Sequence, residues 1–338
     1  MVKTAMIGFG GIAQSHLKAH QSLEAAGLEK LVAVIDITPE QFTKRIKINI
    51  DTGERSLSGD FHVYYDLEEM LSKEEIDLID ICIPSYLHAE TAVAMLERGY
   101  NVLSEKPMAL NSADCEKMIA AMKKTGKRLM IGQCLRFYPE YTFIKDCIED
   151  GRYGKVTSAE FRRISGTPLW SWQNWYHDYA KAGGVLTDMQ IHDLDMARYL
   201  FGEPEYVECH ANSKKVKFDV SHVVLGYDFP VTSIGDWTFQ GGKFAASYRI
   251  GFENATVIYE GGKVTVYPAD LFNVSEPFEP DLKDKGGIRN EIAAMINFIE
   301  TGAENVKNPP ESAAATIRLI EAARVSAENG GIRVPFRG

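Results

Sequence analysis

The stretch TAMIGFGGIAQSHLKAHQSLEAAGLEKLVAVID, from Thr4 to Asp36, decides the fold. Its apolar run TAMIGF stops at glycines, a segment with helical spacing closes on Gly27, and LVAVID forms a second apolar strand. The turn reads GFGGIA, with Gly8, Gly10 and Ala13 in the G-x-G-x-x-G/A form. Gly8 permits the tight turn, Gly10 lets the backbone approach a pyrophosphate, and Ala13 keeps helix and sheet close. The helix start offers unpaired N–H groups and the positive end of its dipole to the phosphates. Phe9, Gly11 and Ile12 complete the predicted cofactor loop. Asp36 lies further from Gly8 than the usual interval of about 20 residues, but it closes the second strand, where a carboxylate accepts from the adenosine ribose and repels a 2′-phosphate. No Arg or Lys immediately follows it, so NAD is expected and NADP disfavoured. A helix N-cap is the competing reading of Asp36.

The alternation continues through LIDICIP, HAETAVAMLERG, NVLSEKP, NSADCEKMIAAMKKTG and RLMIGQ, and PEQFTKRI opens with a proline suited to a first helical turn. Such alternation implies a parallel sheet with helices on both faces. Residues 1–125 are therefore expected to form a doubly wound Rossmann domain in an α/β protein. The polar segment INIDTGERSLSGDF, between Lys47 and His62, fits this scheme poorly. It reads as a loop or hairpin insertion, or as a flap beside the adenosine end of the cofactor. From about residue 126 to 338 the pattern changes. VTSAEFRRIS, YVECHANS, HVVLGYDF, VTSIGDWTF, KFAASYRI, ATVIYEG and KVTVYP are strand-like runs, and Glu260-Gly-Gly-Lys263 is a hairpin turn. They favour a large antiparallel or mixed sheet in a second, α+β domain.

A net charge of −10 argues against duplex nucleic acid, whose phosphates call for clustered Lys and Arg. The five cysteines are odd in number and widely spaced, without a CxxC or Cys/His cluster, so neither zinc nor a disulfide framework is expected and a reducing cytoplasm is. The N-terminal apolar run is too short for a signal peptide. No segment approaches the roughly 20 apolar residues of a membrane span.

Two further stretches carry chemistry. NVLSEKP ends an apolar strand on Glu105, Lys106 and Pro107, and AGGVLTDMQIHDLD places Asp188, His192 and Asp195 at spacings of four and three. On a continuous helix these three share one face. That face is a hydrogen-bonded structural stripe, a divalent metal site without other ligands to support it, or an acid–base site in which His192 moves a proton and Asp188 tunes it. Between the domains, PLWSWQNWYHDYAK is dense in aromatics. Trp172 and Trp175 are candidates to stack on the C–H faces of sugars, against a reading as core or subunit packing. Arg136 and Tyr138, in LRFYPEY, are candidate polar contacts, with structural ion pairing as the alternative.

The glycine loop, SEKP after the fifth strand and GGVLTDxxxHDLD together resemble the glucose–fructose oxidoreductase/inositol dehydrogenase (Gfo/Idh/MocA) family. CIPSYLHAETAVAMLERGYNVLSEKPMAL, GQCLRFYPEY and the tail PESAAATIRLIEAARVSAENGG extend the likeness along most of the chain. The resemblance implies Lys106 and His192 as the catalytic pair, Asp188 as their electrostatic partner, and Glu105 and Lys106 at the nicotinamide. It implies a cis Pro107, and a segment holding Ile83, Pro84 and His88 that passes the cofactor. For His88 an unliganded helix N-terminal residue is the alternative. Ser85, Tyr86 and Gln190 depart from the common family form. The resemblance further implies a mostly antiparallel open sheet, a terminal helix over 311–329 that packs back on the first domain, and a homodimer or homotetramer. The expected activity is NAD(P)-dependent hydride transfer to or from a secondary alcohol of a sugar, inositol or related polyol. A glycosidase or lyase that retains NAD and oxidises transiently is the alternative on the same scaffold. A non-catalytic nucleotide sensor is a third reading, opposed by the intact Lys106, Asp188 and His192.

Overall fold

The structure, a computed structural model, describes residues 1–43, 57, 59–241, 243–269, 275–282, 284 and 286–337. Apart from Leu57 and residues 59–61, the insertion expected at 48–61 lies outside the described residues. The first domain alternates β1 (Val2–Ile7), α1 (Ala13–Ala25), β2 (Glu29–Ile35), β3 (His62–Tyr64), α2 (Leu67–Lys73), β4 (Leu78–Ile81), α3 (His88–Glu97), β5 (Asn101–Glu105), α4 (Ser112–Thr125) and β6 (Leu129–Gly132). All neighbouring strands pair in parallel, in the order β3-β2-β1-β4-β5-β6. Every residue of β4 and β6 is buried, as strands covered on both faces require. Strand order reverses between β1 and β4, and that switch point leaves a crevice at the carboxyl ends of the strands. Because β6 belongs to this sheet, the first domain continues beyond residue 125.

The chain then runs through α5 (Pro139–Glu149), β7 (Val156–Ile164), α6 (Tyr179–Ala182), α7 (Gly184–Asp188), α8 (Ile191–Phe201), β8 (Tyr206–Asn212), β9 (Val220–Gly226), β10 (Pro230–Asp236), β11 (Ala245–Phe252), β12 (Ala255–Glu260), β13 (Lys263–Pro268), α9 (Gly287–Thr301), α10 (Pro310–Glu328) and β14 (Val334–Pro335). The second sheet has the order β13-β12-β11-β7-β10-β9-β8-β14 and is antiparallel except for the β7/β10 pair. The predicted hairpin forms between β12 and β13, where Gly261 and Gly262 both take positive φ (59° and 81°) as a type I′ turn demands. Helix α10 packs against the first domain: Glu321 accepts from the Ser112 N–H at 2.8 Å, and Arg324 donates to the Leu110 carbonyl at 3.2 Å. Helix α9 was not anticipated; Ile292, Met295 and Ile296 pack with Leu23 of α1 over one face of the first sheet, against Val2, Leu78, Leu103 and Met130.

Candidate active site

A cavity of about 580 Å³ opens at the switch point of the first sheet and is closed on the far side by the second domain. Gly8 has φ +95°, and a Cβ there would meet the Cys82 carbonyl oxygen at 2.5 Å, so β1 and β4 meet this closely only with glycine. A Cβ on Gly10 would have no heavy atom within 4 Å, which leaves the loop open to the cavity. Gly11, Ile12, Asp36, Ile83 and Pro84 share that wall. A bare glycine loop at a helix start, with a carboxylate at the end of β2, fits a dinucleotide. Asp36 is fixed by the Phe9 N–H and the Thr38 N–H, both at 2.8 Å, one on each oxygen. The second bond is an Asx turn rather than a helix cap, and an ionised carboxylate has further acceptor capacity for a ribose.

Two residues expected to touch the cofactor do not line the cavity. Phe9 is fully buried and stacks on Phe42 with ring centroids 4.9 Å apart, so it shapes the loop from beneath. His88 is also buried. Its Nδ1 lies 2.7 Å from the Pro107 carbonyl and its Nε2 2.9 Å from the Ile83 carbonyl, so the ring ties two turns together.

Strand β5 delivers Glu105 and Lys106 to the cavity, and the Lys106–Pro107 peptide is cis. Lys106 Nζ donates to the Asp188 carbonyl at 2.5 Å and lies 3.3 Å from Asp188 Oδ1. Asp188 ends α7, which begins at glycines held in the left-handed region; a Cβ on Gly184 would sit 2.7 Å from the Lys217 carbonyl. His192 opens onto the same cavity from α8. Its Nδ1 is buried with no partner among the described residues. Burial, then Lys106 and Arg163, hold the ring well below the usual histidine range, so it is a free base at neutral pH.

The single stripe of Asp188, His192 and Asp195 does not form, because the helix is interrupted between Asp188 and Ile191. Asp195 turns away from the cavity to Arg136, which donates to both of its oxygens at 2.9 and 2.7 Å. Arg136 also donates to the Lys307 carbonyl and Ser312 Oγ. It is thus a buried structural cation, not a substrate contact. Gln190 lies between Ser221 and Ser233 under the second sheet and does not line the cavity. Ser85 does line it, and Tyr86 packs edge-on against Trp175.

Residues 2–133 match the family described as "Oxidoreductase family, NAD-binding Rossmann fold", and residues 141–258 match the "GFO/IDH/MocA C-terminal domain". The chain belongs to the Gfo/Idh/MocA oxidoreductase family. D-apiose dehydrogenase of Paraburkholderia graminis is 26% identical over 97% of this chain and 88% of its own length. Myo-inositol 2-dehydrogenase of Thermotoga maritima is 29% identical over 60% of this chain, which covers 55% of that protein. Levoglucosan dehydrogenase in complex with NADH and levoglucosan shares the fold with a TM-score of 0.82 at 19% identity, over 99% of this chain and all of that one (100%).

On this Gfo/Idh/MocA scaffold, Tyr138, Trp172 and Trp175 line the cavity. Tyr176, from the same aromatic run, lines it too, as do Trp237 and Arg163, which the sequence did not single out. Tyr176 stacks on Trp175 with centroids 3.9 Å apart, and burial together with Asp188 and Glu105 pushes its hydroxyl well above the usual tyrosine range. Arg163 comes from β7, where it pairs with Asp193 at 2.8 Å and donates to the Tyr141 hydroxyl at 2.8 Å. Nothing local in RRIS marks it.

Proposed function

We propose that the cavity binds NAD along the glycine loop and Asp36, with a sugar or polyol between the nicotinamide and the Trp172–Tyr176 aromatics. The reaction is hydride transfer between the nicotinamide and a secondary alcohol or ketone of that sugar. Relatives named as apiose and inositol dehydrogenases support the substrate class. The observation that carries the reading is that Lys106, Asp188 and His192 line the same cavity as the glycine loop, with Lys106 Nζ bonded to Asp188.

NAD, when bound, supplies the hydride acceptor or donor. In the oxidative direction the unprotonated His192 ring takes the hydroxyl proton. The Lys106 ammonium, held by Asp188, donates to the oxygen as charge develops on it. In reduction His192 returns the proton. Asp188 aims the ammonium through both its carbonyl and its carboxylate. Trp172 and Trp175 offer flat faces to the C–H side of a sugar and exclude water from the reacting oxygen.

A homodimer or homotetramer accords with the exposed apolar side chains Val224 and Tyr267 on the side of the second sheet away from its core. A reducing compartment accords with five free cysteines, none paired. Among the described residues no helix is long and apolar enough to cross a membrane. The deciding experiment is an NAD- and NADP-linked absorbance screen over sugars, inositols and polyols. Substrate-dependent NADH formation is expected; cleavage of aryl glycosides without net NADH would put the chemistry in the NAD-retaining hydrolase class instead.

A further inference from the structure

Helix α1 carries two histidines four residues apart, His16 and His20, both fully buried against the first sheet. His16 Nδ1 lies 2.7 Å from Asp80 Oδ2 and its Nε2 lies 2.9 Å from Glu105 Oε1. His20 Nε2 reaches the same Asp80 oxygen at 2.9 Å, and its Nδ1 lies 2.8 Å from Glu29 Oε1. The Thr4 hydroxyl donates to the other Glu29 oxygen at 2.7 Å. An unbroken chain, Glu29–His20–Asp80–His16–Glu105, therefore runs beneath the helix and surfaces only at the carboxyl end of β5. There Glu105 lines the cavity, and its Oε2 accepts from the Lys106 N–H at 3.0 Å.

Four ring-nitrogen contacts to carboxylate oxygens need four protons, and two imidazoliums supply four. Contacts of 2.7–2.9 Å are those of charge-assisted hydrogen bonds. The ligand atoms of His16, His20 and Asp80 lie within 4.8 Å of one another, but each ring nitrogen already faces a carboxylate, so a shared proton accounts for the geometry without an ion. Burial opposes the charge on both rings, yet the carboxylates outweigh it. Asp80 holds His16 well above the usual histidine range, and Glu29 with Asp80 raises His20 to about 9. Glu291, buried on α9 with no partner for either oxygen among the described residues, is pushed well above the usual carboxylate range by burial and by Glu105.

Three carboxylates against two imidazoliums leave one negative charge, and Glu105 is the member that meets the cavity. A buried ionic cluster of this kind gives little stability over an apolar core of equal volume, so stability alone does not explain it. We propose that the chain is a positioning device: it fixes the Glu105 carboxylate beside the nicotinamide, and so biases the bound cofactor toward its oxidised, positively charged form. His16 and His20 are positioning residues that act through Glu105. Without His16, the Glu105 carboxylate loses its charge-assisted partner and its fixed position, and the bias is lost. The inference rests on the proposed NAD site, with the nicotinamide at the Glu105–Lys106 end of the cavity as the family resemblance implies.

The test needs no substrate: NAD⁺ and NADH are titrated separately into the full-length protein, and the ratio of the two dissociation constants is read. H16N and E105Q should each raise Kd(NAD⁺)/Kd(NADH) about tenfold, equivalent to about 30 mV for a two-electron couple. The double variant H16N/E105Q should match E105Q alone within about twofold, because both changes remove one effect. H20N, one link further away, should shift the ratio in the same direction by less. A ratio unmoved in H16N and E105Q while thermal stability falls would reduce the chain to packing. Multiplying effects in the double variant would show that His16 does not act through Glu105. If H16N does not fold, E105Q and H20N decide, and an unmoved ratio in both overturns the proposal. Failure of the wild-type protein to bind either form overturns instead the cofactor placement on which it rests.

Discussion

Replacing Lys106 by Met removes the ammonium that contacts Asp188 at the cavity while keeping the unbranched apolar stem of the side chain. Lys106 Nζ contacts the Asp188 carbonyl and carboxylate, and both side chains are only 15% exposed. The lost interaction is thus a charge-assisted donor in a water-poor site, not a solvated surface charge. Removing one such donor to a developing oxyanion costs about 10²–10³ in kcat, or roughly 3–4 kcal/mol. The Gly8 loop and Asp36 are untouched, so the NAD dissociation constant should change by no more than about threefold.

The same change has a second, signed consequence at His192. Its ring is held low by burial first and then by the positive neighbours Lys106 and Arg163. In the wild-type protein the acid limb of kcat/KM for alcohol oxidation should therefore lie well below 6.5, since that profile reports the free enzyme's base. Removal of Lys106 takes away one cation and frees the Asp188 carboxylate, and both changes favour the protonated ring. The limb should move upward. Burial remains, which restrains the shift. Steady-state rates of the wild type and K106M, measured from pH 5 to 8 with the substrate found by the screen, would check both points. Undiminished kcat would remove Lys106 from the chemistry; a limb that stays put or moves down would remove His192 as the base or Lys106 as its neighbour.

Asp36→Ser should erode the preference for NAD, raising kcat/KM with NADP relative to NAD by about tenfold or more, because the repulsion of a 2′-phosphate is gone; a wild-type preference for NADP would refute that role for Asp36. Arg136→Leu should destabilise the fold by about 3–5 kcal/mol in denaturant unfolding, since Asp195 is left buried without its partner, while NADH affinity holds. A selective loss of substrate binding would return Arg136 to the pocket. His16 and His20 are both raised above their unfolded value, so their contribution to stability is fully present below pH 6.5 and is lost as pH rises through the folded values, about 9 for His20. Thermal stability should accordingly fall between pH 7 and 9.5, and H20N should flatten that decline.

How much of this was legible in the sequence depends on whether a residue's partner is local. The Gly8 turn, the Gly261–Gly262 hairpin and the strand–helix alternation are settled within a few residues by backbone sterics and hydrophobic period, and each stands where the sequence puts it. Lys106 and His192 are 86 positions apart and were linked through family resemblance, not through anything their neighbours dictate. Arg136, His88 and Phe9 were misplaced for the converse reason. Each is a residue type that suits a site, but its fate was set by a distant acceptor or ring: Asp195, the Ile83 and Pro107 carbonyls, and Phe42. The stripe through Asp188 and Asp195 failed because a helical period holds only within one helix, and the interruption before Ile191 turns Asp195 toward Arg136.

His16 and His20 illustrate the same limit from the other side. At i and i+4 on α1 they share a helix face, and that face points at the sheet. A histidine pair there calls for acceptors, yet the sequence does not say that Glu29, Asp80 and Glu105 come from three different strands to meet it. Parallel pairing brings them together: β4 lies between β1 and β5, so the middle of β4 and the end of β5 both pass under the helix that follows β1. The alternation that makes the fold readable therefore also builds the buried chain, which remains invisible until strand order is known. The glycine loop after β1 and Lys106 after β5, on strands separated by β4, then both lie against the helix that carries His16, and on the proposal above substitutions at His16 should be felt at the nicotinamide without touching either.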